Sequence, residues 1–227
     1  MAANLAFSDL HGNLDAWRAI QERTNMDDRL YCLGDVADRG PDGYQILREI
    51  LADPRVVYLK GNHDDMFVEG IIGDDSQYFP HWFSLCGGAP TYEAWKKDGS
   101  PQDILKKLRR APIRKMLMTK KGLILLSHAG YTPRKAGSTI PSDSDFLWDR
   151  KHISDPWELG SKDIFVVHGH TPVFDPPSFG RLAFGVEDVE PLFYCEGHKV
   201  CIDMGTSASH ACALLNLDDF SFEVIRV

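Results

Sequence analysis

At 227 residues and 43% hydrophobic, the chain is long enough to bury a sizeable core, and no apolar run approaches the ~20 residues of a membrane helix. Its formal net charge of -8 at pH 7 argues against broad binding to nucleic acid, which needs basic surface to displace counterions, so neither a nucleic-acid nor a membrane partner is expected. The five cysteines, Cys32, Cys86, Cys195, Cys201 and Cys212, are odd in number and contain no CxxC pair, which indicates neither a disulfide framework nor a zinc knuckle.

The start, MAANLAFSDLHGN, has no basic region followed by an apolar segment, so an uncleaved, cytoplasmic protein is expected. Residues 4–7 form a short apolar run, 8–13 a polar turn, and 14–22 carry helical spacing. That predicts a strand, a loop and a helix. The pattern recurs where 30–33 lead into GDVADRG and a helix over 43–51, and where 56–59 lead into GNHDD and a helical start. Each strand ends at a loop rich in Gly, Asp and His, where open α/β sheets place ligand-binding groups. From 79 to 110 the sequence reads as helices that open on Pro or small-residue breakers. Strand character returns at 116–118 and 123–126 around a turn at 119–122, at 164–167, at 200–202, and in a closing hairpin over 211–217 and 221–227. No repeat, low-complexity segment or linker interrupts the chain, so residues 1–227 are expected to form a single domain.

Five segments follow strand-like runs: Asp9-Leu10-His11-Gly12-Asn13, Gly34-Asp35-Val36-Ala37-Asp38-Arg39-Gly40, Gly61-Asn62-His63-Asp64, Ser127-His128-Ala129-Gly130 and His168-Gly169-His170-Thr171-Pro172. Their side chains are oxygen and nitrogen ligands suited to Mn, Fe or Zn, with no thiolate among them. A mixed carboxylate, imidazole and amide set fits a hydrolytic two-metal site better than a cysteine-rich structural zinc site. Singly, each segment has an ordinary reading as cap, turn or core histidine. Five of them in order at strand ends favour metal chemistry.

Taken together, the segments resemble the GDxHG, GDxVDRG, GNHE, HGG and GH blocks of the phosphoprotein phosphatases within the metallophosphoesterase superfamily. The small bacterial and lambda-phage type is the most similar, and DRG with Leu147-Trp148-Asp149-Arg150 points to that branch. The resemblance spans nearly the whole chain and implies an α/β fold, a four-layer sandwich of two mixed β-sheets flanked by helices, with a metal site at the C-terminal ends of the strands. It implies two divalent ions, Mn first and Fe or Zn as alternatives, with Asp9 and His11 on one ion, Asp35 bridging, and Asn62, His128 and His170 on the other. A hydroxide shared by the ions is the implied nucleophile. His63 is then the general acid, Asp38 orients its ring, and Arg39 and Arg150 grip the phosphoryl oxygens.

The implied activity is phosphomonoester hydrolysis by a serine/threonine protein phosphatase, on phosphorylated protein or small phosphate esters. A symmetrical dinucleoside polyphosphate hydrolase is the alternative, and a non-catalytic binding module would require a lost ligand or acid. Asp64 replaces the Glu of GNHE, and Ala37, Lys60 and Ala129 also depart from the family pattern without removing a proposed catalytic group. Because Gly169-His170-Thr171-Pro172 matches the family's GHTP, His168 is expected to support the site rather than ligate. His81, His152, His198 and His210 lack motif context and are expected on the surface or in the core. The stretch 178–198, with Glu187, Asp188 and Glu190, is longer than expected and would act on substrate choice if it reaches the cleft rim.

Overall fold

The computed structural model describes residues 2–73, 77–131, 141–154, 156–157, 162–174 and 189–227. In chain order its elements are β1 (Asn4–Phe7), α1 (Leu14–Arg23), β2 (Arg29–Cys32), α2 (Gly43–Ile50), β3 (Val56–Tyr58), α3 (Asn62–Ile72), α4 (Tyr78–Leu85), α5 (Ala89–Lys97), α6 (Gln102–Arg110), β4 (Arg114–Met118), β5 (Leu123–Ser127), α7 (Asp143–Trp148), β6 (Ile164–His168), β7 (Leu192–Tyr194), β8 (Lys199–Cys201), α8 (Thr206–Ser209), β9 (Ala211–Asn216) and β10 (Phe222–Arg226). They form two five-stranded mixed sheets, ordered β10-β9-β1-β2-β3 and β4-β5-β6-β8-β7. In the first, β1, β2 and β3 run parallel, and β9 joins antiparallel with Leu5 opposite Asn216. In the second, β5, β6 and β8 run parallel and β4 and β7 close the edges antiparallel. Each sheet therefore contributes three parallel strands.

Side chains alternate between strand faces, and the sequence uses that period to build the layers. Phe7, Leu30, Cys32, Cys212 and Leu214 face the helices, where they pack with Trp17, Ile46, Leu47, Phe67 and Trp82. Their neighbours Ala6, Tyr31, Ala213 and Leu215 face the other way and meet Ile124, Leu126, Val167 and Val200 between the sheets. On the far side of the second sheet, Leu125 and Val166 are covered by Phe146 from α7. A one-residue slip would turn every one of these side chains to the wrong layer, each worth roughly 1.5–3 kcal/mol of burial for a large apolar group.

The predicted βα units at the start, the helical middle and the closing hairpin are all present. Three elements lie outside the sequence-based expectation: α7, β7 and α8. Helix α7 has six residues and is fixed by a capping box between Ser142 and Asp145, β7 is a three-residue edge strand that exists through its pairing with β8, and α8 has four residues. None is long enough to carry a period. Of the 178–198 stretch, residues 178–188, with Glu187 and Asp188, lie outside the described residues, while Glu190 is exposed. Among the described residues no helix is long and apolar enough to cross a membrane.

Candidate metal centre

The loops after β1, β2 and β3 meet those after β5 and β6, and the seam between them gathers all ten predicted site residues. Local backbone is strained there: Asp9, His11, Asp35, Asp38, Arg39 and His170 all have positive φ, between 42° and 67°. For a residue other than Gly this conformation costs about 1–2 kcal/mol. Six of the eleven such residues in the described chain fall in the site, which marks it as a place where position outweighs local stability. Two glycines allow the approach: a Cβ on Gly61 would lie 2.0 Å from Asp35 Oδ1, and one on Gly169 would lie 2.1 Å from Asp9 Oδ2.

Asp35 stands at the centre. Its Oδ1 accepts a hydrogen bond from the His63 amide at 2.9 Å, while its Oδ2 faces His128 Nε2 at 3.2 Å and His11 Nε2 at 4.0 Å. One carboxylate thus belongs to two groups of donors, one with His11 and His63 and one with His128 and His170. Asp9 Oδ1 lies 3.9 Å from His11 Nε2, and its Oδ2 accepts from Ser8 Oγ and from the His170 amide. The tautomers are set from behind: His11 Nδ1 donates to the Ala37 carbonyl at 3.0 Å and His128 Nδ1 to that of Leu33 at 2.8 Å. Both Nε2 atoms are thereby turned to the centre.

Asn62 Oδ1 sits 2.8 Å from His128 Nε2 and 2.9 Å from His170 Nδ1. Because His128 Nδ1 donates to Leu33, a neutral His128 sets acceptor against acceptor at Asn62 Oδ1, which a proton or a cation reconciles; His170, whose Nε2 accepts from Arg150, can donate from Nδ1. The titration behaviour agrees. Burial pushes Asp9 up to about 6, with Asp35 adding to it against the pull of His128. Burial alone would lower His128, yet the carboxylates of Asp35 and Asp9 carry it up to about 10. Against its own burial, Asp35 is held well below the carboxylate range by His128 and His63, whereas burial leaves His11 and His170 well below the usual imidazole value. The donor set demands positive charge, and oxygen and nitrogen ligands of this kind fit divalent transition-metal ions.

Beside this cluster lies a dyad. Asp38 Oδ2 accepts from His63 Nδ1 at 2.8 Å and from Trp82 Nε1 at 2.7 Å, and the Asp38 amide donates to Thr91 Oγ1 at 2.9 Å. Arg39, exposed at the mouth, donates from Nη2 to His63 Nε2 at 3.3 Å. Arg150, exposed on the opposite rim, reaches His170 Nε2 with its Nε at 3.4 Å. His168 is turned away: its Nδ1 meets the Gly169 carbonyl at 2.9 Å and its Nε2 the Tyr194 hydroxyl at 2.7 Å. His152 and His198 are buried, and His81 and His210 are exposed.

Four further residues, Asp203, Asp64, Trp82 and Thr91, join the ten at the site. Asp203, buried in the loop after β8, is pushed well above the carboxylate range by its burial and by Asp9. The signal was available, since the apolar run at 200–202 ends in Asp-Met-Gly as the other strands end in Asp or His. Asp64, noted only as a departure, accepts from the Gly61 and Asp35 amides and locks two of the loops together. Trp82 and Thr91 come from the helical middle, and no local pattern links them to Asp38.

The calcineurin-like phosphoesterase family model matches residues 5–202, and the chain belongs to that family, whose members are hydrolases acting on phosphate esters. Among curated proteins it is similar to the asymmetrical bis(5'-nucleosyl)-tetraphosphatase PrpE of Anoxybacillus flavithermus, at 26% identity over 65% of this chain and 65% of that one. It is also similar to the symmetrical bis(5'-nucleosyl)-tetraphosphatase of Pseudomonas fluorescens, at 30% identity over 58% of this chain and 44% of that one. The matched stretches thus span less than two thirds of either relative. Among solved structures, one provisionally assigned as a diadenosine tetraphosphatase shares the fold with a TM-score of 0.66 at 15% identity, covering 99% of this chain and 93% of that one.

Proposed function

We propose that the chain is a two-metal hydrolase of nucleotide phosphoanhydrides, with dinucleoside polyphosphates as the substrate class and residues 1–227 acting as one domain. The observation that carries the two-metal reading is the single Asp35 oxygen that faces His128 on one side and His11 on the other. Asp9 and His11 would hold one ion, Asn62, His128 and His170 the second, and Asp35 both. When bound, two divalent ions, Mn first among them, supply Lewis-acid polarisation of the phosphoryl oxygens and a deprotonated water at neutral pH.

The remaining work falls to side chains. Arg39 and Arg150 flank the centre from opposite rims and would clamp the phosphoryl oxygens by paired N–H donors. Arg39 lies against His63 Nε2, so a phosphoryl oxygen held by Arg39 would bring its leaving oxygen towards that nitrogen. His63 then delivers the proton, its ring held by Asp38 through Nδ1. Cys32, Cys86, Cys201 and Cys212 as free thiols are in keeping with work in the reducing cytoplasm.

The relatives named above favour dinucleoside polyphosphates over the phosphoprotein substrate that the motif blocks alone suggest. The test is a panel of kcat/KM values for Mn-reconstituted protein on diadenosine tetraphosphate, p-nitrophenyl phosphate and a phosphoserine peptide. The dinucleotide is expected to exceed the peptide by at least tenfold. The reverse order would assign the protein to phosphoprotein hydrolysis.

A further inference from the structure

A cavity of about 460 Å³ opens beside the centre and shares two walls with it, His11 and Arg39. Its volume falls in the ~300–1,000 Å³ range of small-molecule sites. Its position follows from the chemistry. In an in-line displacement the leaving group departs opposite the attacking water, towards the acid that protonates it. His63 is that acid in the proposed mechanism. Its ring lies 4.8 Å from the His11 ring and its Nε2 is 3.3 Å from Arg39, so the departing half of a substrate is directed to the side on which the cavity opens.

The lining has the character of a nucleoside site. Leu14 and Pro41 offer apolar surface. Asp42 stands at the N-cap of α2, yet its carboxylate makes no capping hydrogen bond, which leaves acceptor-only oxygens suited to hydroxyl donors. Thr206 is fully buried, lines the cavity, and its hydroxyl has no hydrogen-bond partner among the described residues. A buried hydroxyl left unpaired costs about 1–3 kcal/mol, which a ligand group bonding to it would recover. His210 presents an exposed imidazole at the rim on a backbone fixed at φ 53°.

We infer that this cavity is the leaving-group subsite, and that it takes the ribose and base of the departing nucleotide, with ribose hydroxyls on Asp42 and Thr206 and the base against His210. Arg39, at the inner end, is placed for the phosphates that lead into it. The inference rests on the dinucleoside polyphosphate reading for its substrate class.

The experiment has two arms. In the first, kcat/KM for diadenosine tetraphosphate is divided by that for p-nitrophenyl phosphate in the parent, Thr206→Val, Asp42→Asn and His210→Asn, the last chosen because Asn tolerates a left-handed backbone. The ratio is expected to fall about tenfold in Thr206→Val and Asp42→Asn. Equal losses on both substrates would mean these residues only support the fold, and the subsite would be abandoned. In the second, adenosine is titrated into metal-free protein and followed by NMR, with shifts expected at Thr206 and His210 and weakened by Thr206→Val. Shifts confined elsewhere, or no binding at millimolar adenosine, would overturn the subsite even if the dinucleotide is cleaved. If the parent instead prefers the phosphoserine peptide while adenosine still docks here, the substrate reading falls and the nucleoside-binding cavity stands.

Discussion

Replacing Trp82 by Phe tests whether the helical middle of the chain serves the chemistry or only the core. The indole Nε1 lies 2.7 Å from Asp38 Oδ2, the same oxygen that holds His63, and the ring is fully buried against Phe67 at 5.2 Å between centroids. Losing a hydrogen bond to a buried carboxylate costs about 1.5–3 kcal/mol, and the void left by the smaller ring adds about 1 kcal/mol. For a chain of this size a total near 3 kcal/mol corresponds to a fall in Tm of about 6–12 °C. The second consequence is specific to the dyad. With one of its two anchors gone, the Asp38 carboxylate is free to rotate and His63 loses its aim, so part of the roughly 10²–10⁴-fold contribution of a general acid is forfeited. The variant is assayed on phenyl phosphate and on p-nitrophenyl phosphate at a temperature well below its Tm. A loss at least severalfold greater on phenyl phosphate, whose leaving oxygen needs the proton more, is expected. A lowered Tm with identical losses on the two substrates would refute the dyad argument and leave Trp82 as packing alone.

Three further substitutions separate the roles proposed for the centre and the electrostatics behind it. Asp35→Asn should strip metal from both groups of ligands and abolish activity, whereas His63→Asn should retain metal by elemental analysis and lose more activity on a phosphoserine peptide than on p-nitrophenyl phosphate; parallel loss of metal and activity in the His63 variant would make it a ligand. His152 is pushed down to about 3 by burial and by Lys199, while an unfolded histidine takes its proton near 6.5. Above pH 6.5 both states are neutral there. As pH falls below 6.5 the unfolded state alone gains the proton, so stability drops by about 1.4 kcal/mol between pH 7.5 and 5.5 from this residue. Metal-free parent and His152→Asn, unfolded in urea at the two pH values, should differ by that amount in their pH dependence, and identical slopes would show that His152 does not titrate on unfolding.

What the sequence displayed was whatever is local. Gly34-Asp35 and Gly61-Asn62-His63 are legible because strand, tight turn and ligand sit within a few residues, and the glycines that permit the close approach lie in the same words as the ligands they serve. The continuous apolar runs at 5–7, 30–33 and 211–215 likewise read as strands buried on both faces. Contacts across the chain left no such trace. Trp82 meets Asp38 from 44 positions away, and its motif context is that of an ordinary core aromatic. A single carboxyl after a strand, as at Asp203, reads as a turn until Asp9 is placed beside it. The strand order was also hidden, since nothing in residues 211–216 says that they will lie against β1 rather than extend the second sheet.

That last placement bears on how the protein comes into being. The opening strand is internal to its sheet, with β2 on one side and β9 on the other, and Asp9 is clasped by the His170 amide from the second sheet. During synthesis, the proposed ligands on the first three loops emerge long before the strand that completes their sheet and the histidines proposed to complete their site. A ribosome-bound chain ending before β9 therefore holds His128 and His170 already, yet leaves β1 with one edge unpaired. Closure of the first sheet waits on the last-made strands, so a chain interrupted before β9 would hold every proposed ligand but not the strand that fixes β1, and Asp9 at its end, in place.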